Sequence, residues 1–321
     1  MKIAFFEVGK EEKDFFTKKL KGQELIFFKD FLSSENLNNA KEIEDVDTLC
    51  IFIYSKINSE IIEKFPNLKY IATRSTGFDH IDLDACKRAG IKVSNLPAYS
   101  QHSVAEHTFA LLLALSRNLI ESTRMKSSLS VHDLNCFTLN GKTLGVIGTG
   151  RIGAQVINIA KGFGMKVIGY DILPNKELTK KLDFNYVSLD KLLSSSDIIT
   201  LHVNLTKETE HLINENAFNK MKKGTVLINT SRGKVIDTQA LIKALESGIV
   251  SATGLDVIEG EEAWRLGQSS SFINKLLHKG RVILTPHIAY YSRESFQKTL
   301  EDTIINLKSY IENKPLNIVN K

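Results

Sequence analysis

The chain has 321 residues, of which 42% are hydrophobic and 25% charged, and 42 basic against 37 acidic side chains leave it a formal charge of +5. That length accommodates two domains with full cores and the composition is ordinary for a globular protein, while no apolar run reaches the ~18 residues of a membrane span. Scattered lysines without interleaved aromatics exclude a nucleic-acid stripe, and Cys50, Cys86 and Cys136 are spaced for neither a zinc knuckle nor a disulfide framework, which suits a reducing cytosol.

The opening Met1–Val8 is soon interrupted by charge, so it reads as a buried first strand rather than a secretory signal, and a cytoplasmic location is expected. Strands are predicted at Lys2–Glu7, Leu49–Ile53, Tyr70–Arg74 and Val93–Asn95, with helices at Ser59–Phe65 and Leu83–Ala89 between them. The second helix stops at Gly90, as a C-cap glycine would require. Such alternation favours a parallel sheet covered on both faces.

Ser103–Met125 follows, predicted as one helix that is apolar around most of its circumference and therefore buried, in a domain core or against a second subunit. A second series of strands, rich in Val, Ile and Leu, runs through Thr143–Ile147, Lys166–Tyr170, Ile198–Leu201, Val226–Ile228, Thr253–Leu255 and Val282–Leu284. Ser292–Asn313 reads as an amphipathic helix.

Gly148-Thr149-Gly150-Arg151-Ile152-Gly153 stands between the strand Thr143–Ile147 and a helical run to Ala160, and Asp171 closes the next strand 18 residues after Gly153. A lone GxGxxG is a weak signal. In this context it predicts a dinucleotide site, with glycines admitting the pyrophosphate to a helix N-terminus. Asp171 would bond the ribose hydroxyls and repel a 2′-phosphate, so the expected cofactor is NAD, and no metal is expected.

Three polar residues stand just beyond strands of the same series: Arg232, Glu261 and His287. Ligands of open α/β sheets bind outside the carboxyl ends of the strands, so the three are candidates for one catalytic site.

The segments Ser75-Thr76-Gly77-Phe78-Asp79, Ser103-Val104-Ala105-Glu106-His107, the glycine loop, Asn229-Thr230-Ser231-Arg232-Gly233, Leu255-Asp256-Val257 and Thr285-Pro286-His287 together resemble the D-isomer-specific 2-hydroxyacid dehydrogenase family. The resemblance implies two Rossmann-like or flavodoxin-like doubly wound α/β domains with a cleft between them. Residues 1–100 with 290–321 would bind substrate, and residues 101–289 would bind NAD. It implies that Arg232 binds and polarises a 2-keto acid and that His287, held by Glu261, is the general acid–base. It assigns Gly148, Gly150, Arg151, Ile152, Gly153, Asp171, Val203, Asn204, Thr230, Ser231, Arg232 and Asp256 to the cofactor, with Asp256 facing the carboxamide. Asn204 stands where many relatives carry Pro, which leaves the loop shape open.

Thr76 and Gly77 would meet the substrate carboxylate through backbone N–H groups, and Tyr99 and the pair Tyr290-Tyr291 resemble the aromatic residues that enclose a small side chain in the D-lactate branch. Pyruvate reduction is the expected activity. Hydroxypyruvate or glyoxylate reduction, or a non-catalytic NAD-sensing scaffold like the corepressors of this fold, are the alternatives. Glu261 separates the chain from formate dehydrogenases, whose histidine pairs with Gln, and the regulatory extension of long phosphoglycerate dehydrogenases is expected to be absent. Leu111, Leu112, Leu113 and Leu115 cannot all face one neighbour at about 100° per residue, so a homodimer along this helix is expected.

Overall fold

In the computed structural model, residues 1–34, 43–124, 134–261, 271–277 and 281–321 are described. The chain divides into two compact units, Met1–Tyr99 with Ser292–Lys321, and Ser100–Tyr291.

The first unit holds strands β1 (Lys2–Phe5), β2 (Glu24–Phe27), β3 (Thr48–Ile51), β4 (Tyr70–Thr73) and β5 (Lys92–Ser94). They pair in the order β2-β1-β3-β4-β5, all parallel. Residues β3 and β4 are buried throughout, as strands covered on both faces must be. One face packs Leu49, Ile51, Ile61 and Val93 together; the other packs Ile3, Phe5 and Phe16 against Leu300, Ile304 and Leu307. Those leucines and Ile304 belong to the terminal helix Arg293–Ile311, whose N-cap Ser292 accepts from Ser295 N. Tyr310 of that helix stacks on Tyr70 with ring centroids 4.0 Å apart. The helix Leu83–Arg88 does end as expected, with Gly90 at φ +71° and Ile91 N donating to Cys86 O.

The second unit contains β6 (Thr143–Ile147), β7 (Lys166–Tyr170), β8 (Asn185–Tyr186), β9 (Ile198–Leu201), β10 (Thr225–Asn229), β11 (Val250–Leu255) and β12 (Val282–Leu284). Their order is β12-β11-β10-β9-β6-β7-β8. The chain builds outward from β6 to β8, then returns to β9 on the other side. The junction of β6 and β9 is therefore the topological switch point, where doubly wound sheets open a ligand crevice.

One expectation changes. The single helix of residues 103–125 is two helices, Gln101–Ser116 and Leu119–Arg124, parted at Asn118 with φ +49°; Met125 lies outside the described residues. Leu111, Leu112 and Leu115 are buried within one chain and Leu113 is half-buried, while His102, Glu106 and Ala110 form the exposed stripe. The helix rests directly on β11, and a Cβ on Gly254 would lie 3.0 Å from Leu111 Cβ. Among the described residues no helix is long and apolar enough to cross a membrane.

Candidate active site

Strand register lines up the carboxyl edge of the second sheet. Ile147 is level with Tyr170 and Leu201, Leu201 with Asn229, Asn229 with Leu255 and Leu255 with Leu284. The residues immediately beyond that row are Asp171, Gly148, His202, Thr230, Asp256 and Thr285. Positions scattered over 138 residues of sequence thus share one edge.

At the switch point, Gly148 has φ +88°, and a Cβ there would stand 2.7 Å from the His202 backbone carbonyl and 2.9 Å from Val203 Cγ1. Gly153 is packed still harder, its Cβ position 2.0 Å from Gly148 O, so the helix Arg151–Gly162 starts tight against the turn. Gly150, the N-cap, faces open space instead. A tight turn, a close-packed helix and an uncovered glycine at its N-terminus form a cradle suited to a pyrophosphate. Asp171 Oδ2 accepts from Thr149 N at 2.7 Å and from Thr149 Oγ1 at 3.0 Å, which locks the acidic residue to the same turn. Ile172 and Leu173 beside it are 79% and 81% exposed, an apolar pair that the sequence reading did not single out. Asn204, in place of proline, has its carbonyl bonded by Thr209 Oγ1 at 2.6 Å, and Thr209 Oγ1 also accepts from Thr206 N at 2.8 Å. A hydroxyl five residues on fixes the loop shape.

Arg232, Glu261 and His287 follow β10, β11 and β12, three adjacent strands. His287 Nδ1 lies 2.8 Å from Glu261 Oε1, and Glu261 Oε2 accepts from Ile258 N at 3.2 Å. An ionised carboxylate only accepts, so Nδ1 carries the proton of this bond and Nε2 is left for other chemistry. His287 has φ +55°, left-handed backbone that is uncommon for a side-chain-bearing residue. Asp256 holds it there. The Asp256 carbonyl accepts His287 N at 2.9 Å, while its carboxylate accepts Ile288 N at 2.9 Å, Ala289 N at 2.8 Å and Thr285 Oγ1 at 2.6 Å. Burial alone would raise the Asp256 carboxyl, but donors from His107, Thr285, Ala289 and Ile288 hold it below the ordinary range. The Tyr290 ring meets the His287 ring edge-on at 6.3 Å.

Arg232 Nη1 donates to Ser231 O at 2.9 Å, and Asn229 organises the turn before it, accepting from Ser231 N and Oγ and donating to Arg232 O. Thr230 is buried and bonded to Thr108 at 3.0 Å. Gly233 went unremarked in the sequence beyond its place in a motif, yet a Cβ there would fall 2.2 Å from the Ile258 carbonyl carbon. The turn after Arg232 is thus pressed onto the backbone leading to Glu261.

Thr76, Gly77 and Tyr99 belong to the first unit. Thr76 Oγ1 donates to Leu96 O at 2.8 Å and Asn95 Nδ2 to Thr76 O at 2.7 Å. The backbone N–H groups of Thr76 and Gly77 have no acceptor among the described residues. Tyr99 is buried.

Residues 109–289 match the family model for the D-isomer specific 2-hydroxyacid dehydrogenase, NAD binding domain. The D-lactate dehydrogenase of Escherichia coli K12 is 37% identical over 322 residues, spanning 96% of each chain. A glyoxylate reductase of Thermococcus litoralis is 38% identical over 291 residues, 88% of this chain and 86% of that one. The crystal structure of Aquifex aeolicus D-lactate dehydrogenase complexed with NAD and lactic acid aligns with a TM-score of 0.90 at 41% identity, over 99% of both chains. Likeness of this degree runs through nearly the whole sequence and both parallel sheets, and by it the chain belongs to the D-isomer-specific 2-hydroxyacid dehydrogenases, a family of NAD-dependent oxidoreductases.

Proposed function

We propose that the protein reduces a small 2-keto acid, pyruvate foremost, to the D-2-hydroxy acid. The observation that carries this reading is the His287–Glu261 pair, 2.8 Å apart, on the same sheet edge as the glycine cradle. Bound NADH would supply the hydride. His287, its Nδ1–H fixed on Glu261, donates a proton from Nε2 to the keto oxygen, and Glu261 offsets the charge on the ring. Arg232 presents a planar fork of donors to the keto acid.

Gly148, Gly150, Arg151, Ile152 and Gly153 form the phosphate cradle, and Asp171 takes the ribose hydroxyls. Val203, Asn204, Thr230 and Ser231 border the rest of the cofactor on the family resemblance, and exposed Ile172 and Leu173 offer an apolar bed for its base. Of the Asp256 oxygens, Oδ1 already takes Thr285 and Ile288, so a carboxamide donor would be accepted at Oδ2, which takes Ala289 N. Tyr290, and in the first unit Thr76, Gly77 and Tyr99, are assigned to substrate on the same resemblance; the uncommitted N–H groups of Thr76 and Gly77 suit a carboxylate.

Steady-state NADH oxidation with pyruvate, hydroxypyruvate, glyoxylate and 2-ketobutyrate, with chiral analysis of the product, tests the reading. The expected result is highest kcat/KM for pyruvate with D-lactate formed. Preference for glyoxylate or hydroxypyruvate would move the assignment to the reductases, a reading favoured by likeness to glyoxylate reductases at 38% identity. NADH binding without any turnover would overturn it in favour of a sensing scaffold. We further propose a cytoplasmic homodimer of about 72 kDa, twice the 36.0 kDa chain. Its support is the exposed apolar pair Leu119 and Ile120, at 49% and 37%, beside half-buried Leu113. A monomer in sedimentation equilibrium at micromolar concentration would refute it.

A further inference from the structure

Among the segments singled out in the sequence, Ser103–His107 has no part in the chemistry above. It lies in the 16-residue helix Gln101–Ser116, and the next residue, Thr108, also reaches the catalytic edge. His107 Nε2 is 3.0 Å from Thr285 Oγ1 and 3.4 Å from Asp256 Oδ1. The direction of these bonds follows from counting protons. The single hydroxyl hydrogen of Thr285 is committed to Asp256 Oδ1 at 2.6 Å, so Thr285 can only accept from His107. Nε2 of His107 is therefore a donor, and it closes a ring of three side chains beneath the turn that holds His287 at φ +55°.

The adjacent residue repeats the arrangement on the other segment. Thr108 Oγ1 gives its hydrogen to Val104 O at 2.8 Å, so across the 3.0 Å contact Thr230 Oγ1 donates and Thr108 accepts. Thr230 is two residues before Arg232. Thr108 and Thr230 are both buried, which makes a broken bond between them costly.

We propose that His107 and Thr108 are positioning residues that fix, from one helical turn, the two segments carrying Arg232 and His287. The inference rests on the catalytic assignment of those two residues. An α-helix is a stiff ruler, and two neighbouring bonds from it hold the guanidinium and imidazole segments at a set spacing. Positioning at this scale matters because a misplacement of about 1 Å can cost about 10²-fold in rate.

The test compares His107→Leu, His107→Gln, Thr108→Val and Thr108→Ser in the full-length enzyme, with His287→Ala as reference. The readouts are kcat and KM for pyruvate, NADH affinity by fluorescence titration, and thermal midpoint. In His107→Leu, kcat is expected to fall about tenfold or more with NADH affinity retained. His107→Gln keeps an N–H donor and recovers most of kcat. Thr108→Val raises KM, through the Arg232 segment, and Thr108→Ser restores it. An inactive His287→Ala beside a His107→Leu of wild-type kcat would overturn the proposal, as would equal losses in His107→Leu and His107→Gln. Should Leu or Val variants fail to fold, a His107→Gln enzyme that folds with wild-type midpoint but loses kcat tenfold overturns it, as does a Thr108→Ser enzyme of wild-type midpoint whose KM rises tenfold. A fully active His287→Ala would instead remove the catalytic assignment beneath it.

Discussion

His287 and Glu261 are bonded at 2.8 Å although 26 residues separate them, because β11 and β12 are neighbours and both residues lie past their carboxyl ends. The bond fixes the ring tautomer and directs Nε2 away from the carboxylate. Replacing the ring removes the proposed proton donor and leaves the glycine cradle intact. His287→Ala is expected to lower kcat by about 10²–10⁴-fold, with NADH affinity by fluorescence little changed. A kcat within threefold of wild type would take the residue out of the mechanism.

Asp171 is bonded to Thr149 through both backbone and hydroxyl, so its charge is held beside the phosphate turn. On the proposed role, Asp171→Ala removes a repulsion of the 2′-phosphate and a bond to the ribose. The ratio of kcat/KM for NADH to that for NADPH should fall by at least tenfold, about 1.4 kcal/mol of discrimination. A ratio already near one in the wild type would contradict the role of this residue.

Gly233 tests the contact between the Arg232 and Glu261 segments. A methyl group there meets backbone atoms of Ile258 and Glu259, at 2.2 and 2.6 Å, which cannot swing aside as a side chain would. Overpacking of this kind costs about 1–3 kcal/mol. Gly233→Ala should lower the thermal midpoint and reduce kcat together; an unperturbed enzyme would show that the two segments are not in contact.

His202 provides a pH signature. Burial pushes its imidazole down to about 3 from an ordinary 6.5. Nε2 meets Thr200 Oγ1 at 2.9 Å and Nδ1 has no hydrogen-bond partner among the described residues. With the folded value depressed, the unfolded chain takes up the proton first. The contribution to stability is therefore complete above about pH 6.5 and is lost as pH falls toward 3, at no more than about 1.4 kcal/mol per pH unit. Denaturant titrations should show this slope in the wild type and a flatter one in His202→Asn. Parallel slopes would refute it.

The strands that were legible in the sequence are those buried on both faces, such as Thr48–Ile51 and Ile198–Leu201, where runs of mostly apolar residues leave little ambiguity. Glu24–Phe27 escaped because it is a half-exposed edge strand. The break between the two helices escaped because Asn118 takes a left-handed conformation without a Gly or Pro to mark it. Catalytic candidates were legible from their place after strands, an argument that needs only local pattern. What Gly233 and His107 touch was not: the atoms against Gly233 belong to Ile258 and Glu259, and the bond of His107 spans 178 residues. Sequence pattern marks such positions, and only tertiary contact says why.

The first unit is assembled from two segments that flank the second in sequence, with Tyr310 on Tyr70, Asn306 bonded to Asn95 O and Ile318 bridged to Ser94. During synthesis its sheet leaves the ribosome before the intervening unit, but the helix Arg293–Ile311 that packs over Ile3, Phe5 and Tyr70 leaves after it. The second unit is contiguous and can fold in the meantime as domains do when they emerge. Until residues 293–311 emerge, the face that packs Ile3 and Phe5 has Phe16 against it but lacks Leu300, Ile304 and Leu307. A nascent chain arrested before them would carry a contiguous unit able to fold and a sheet with part of its apolar face unmet.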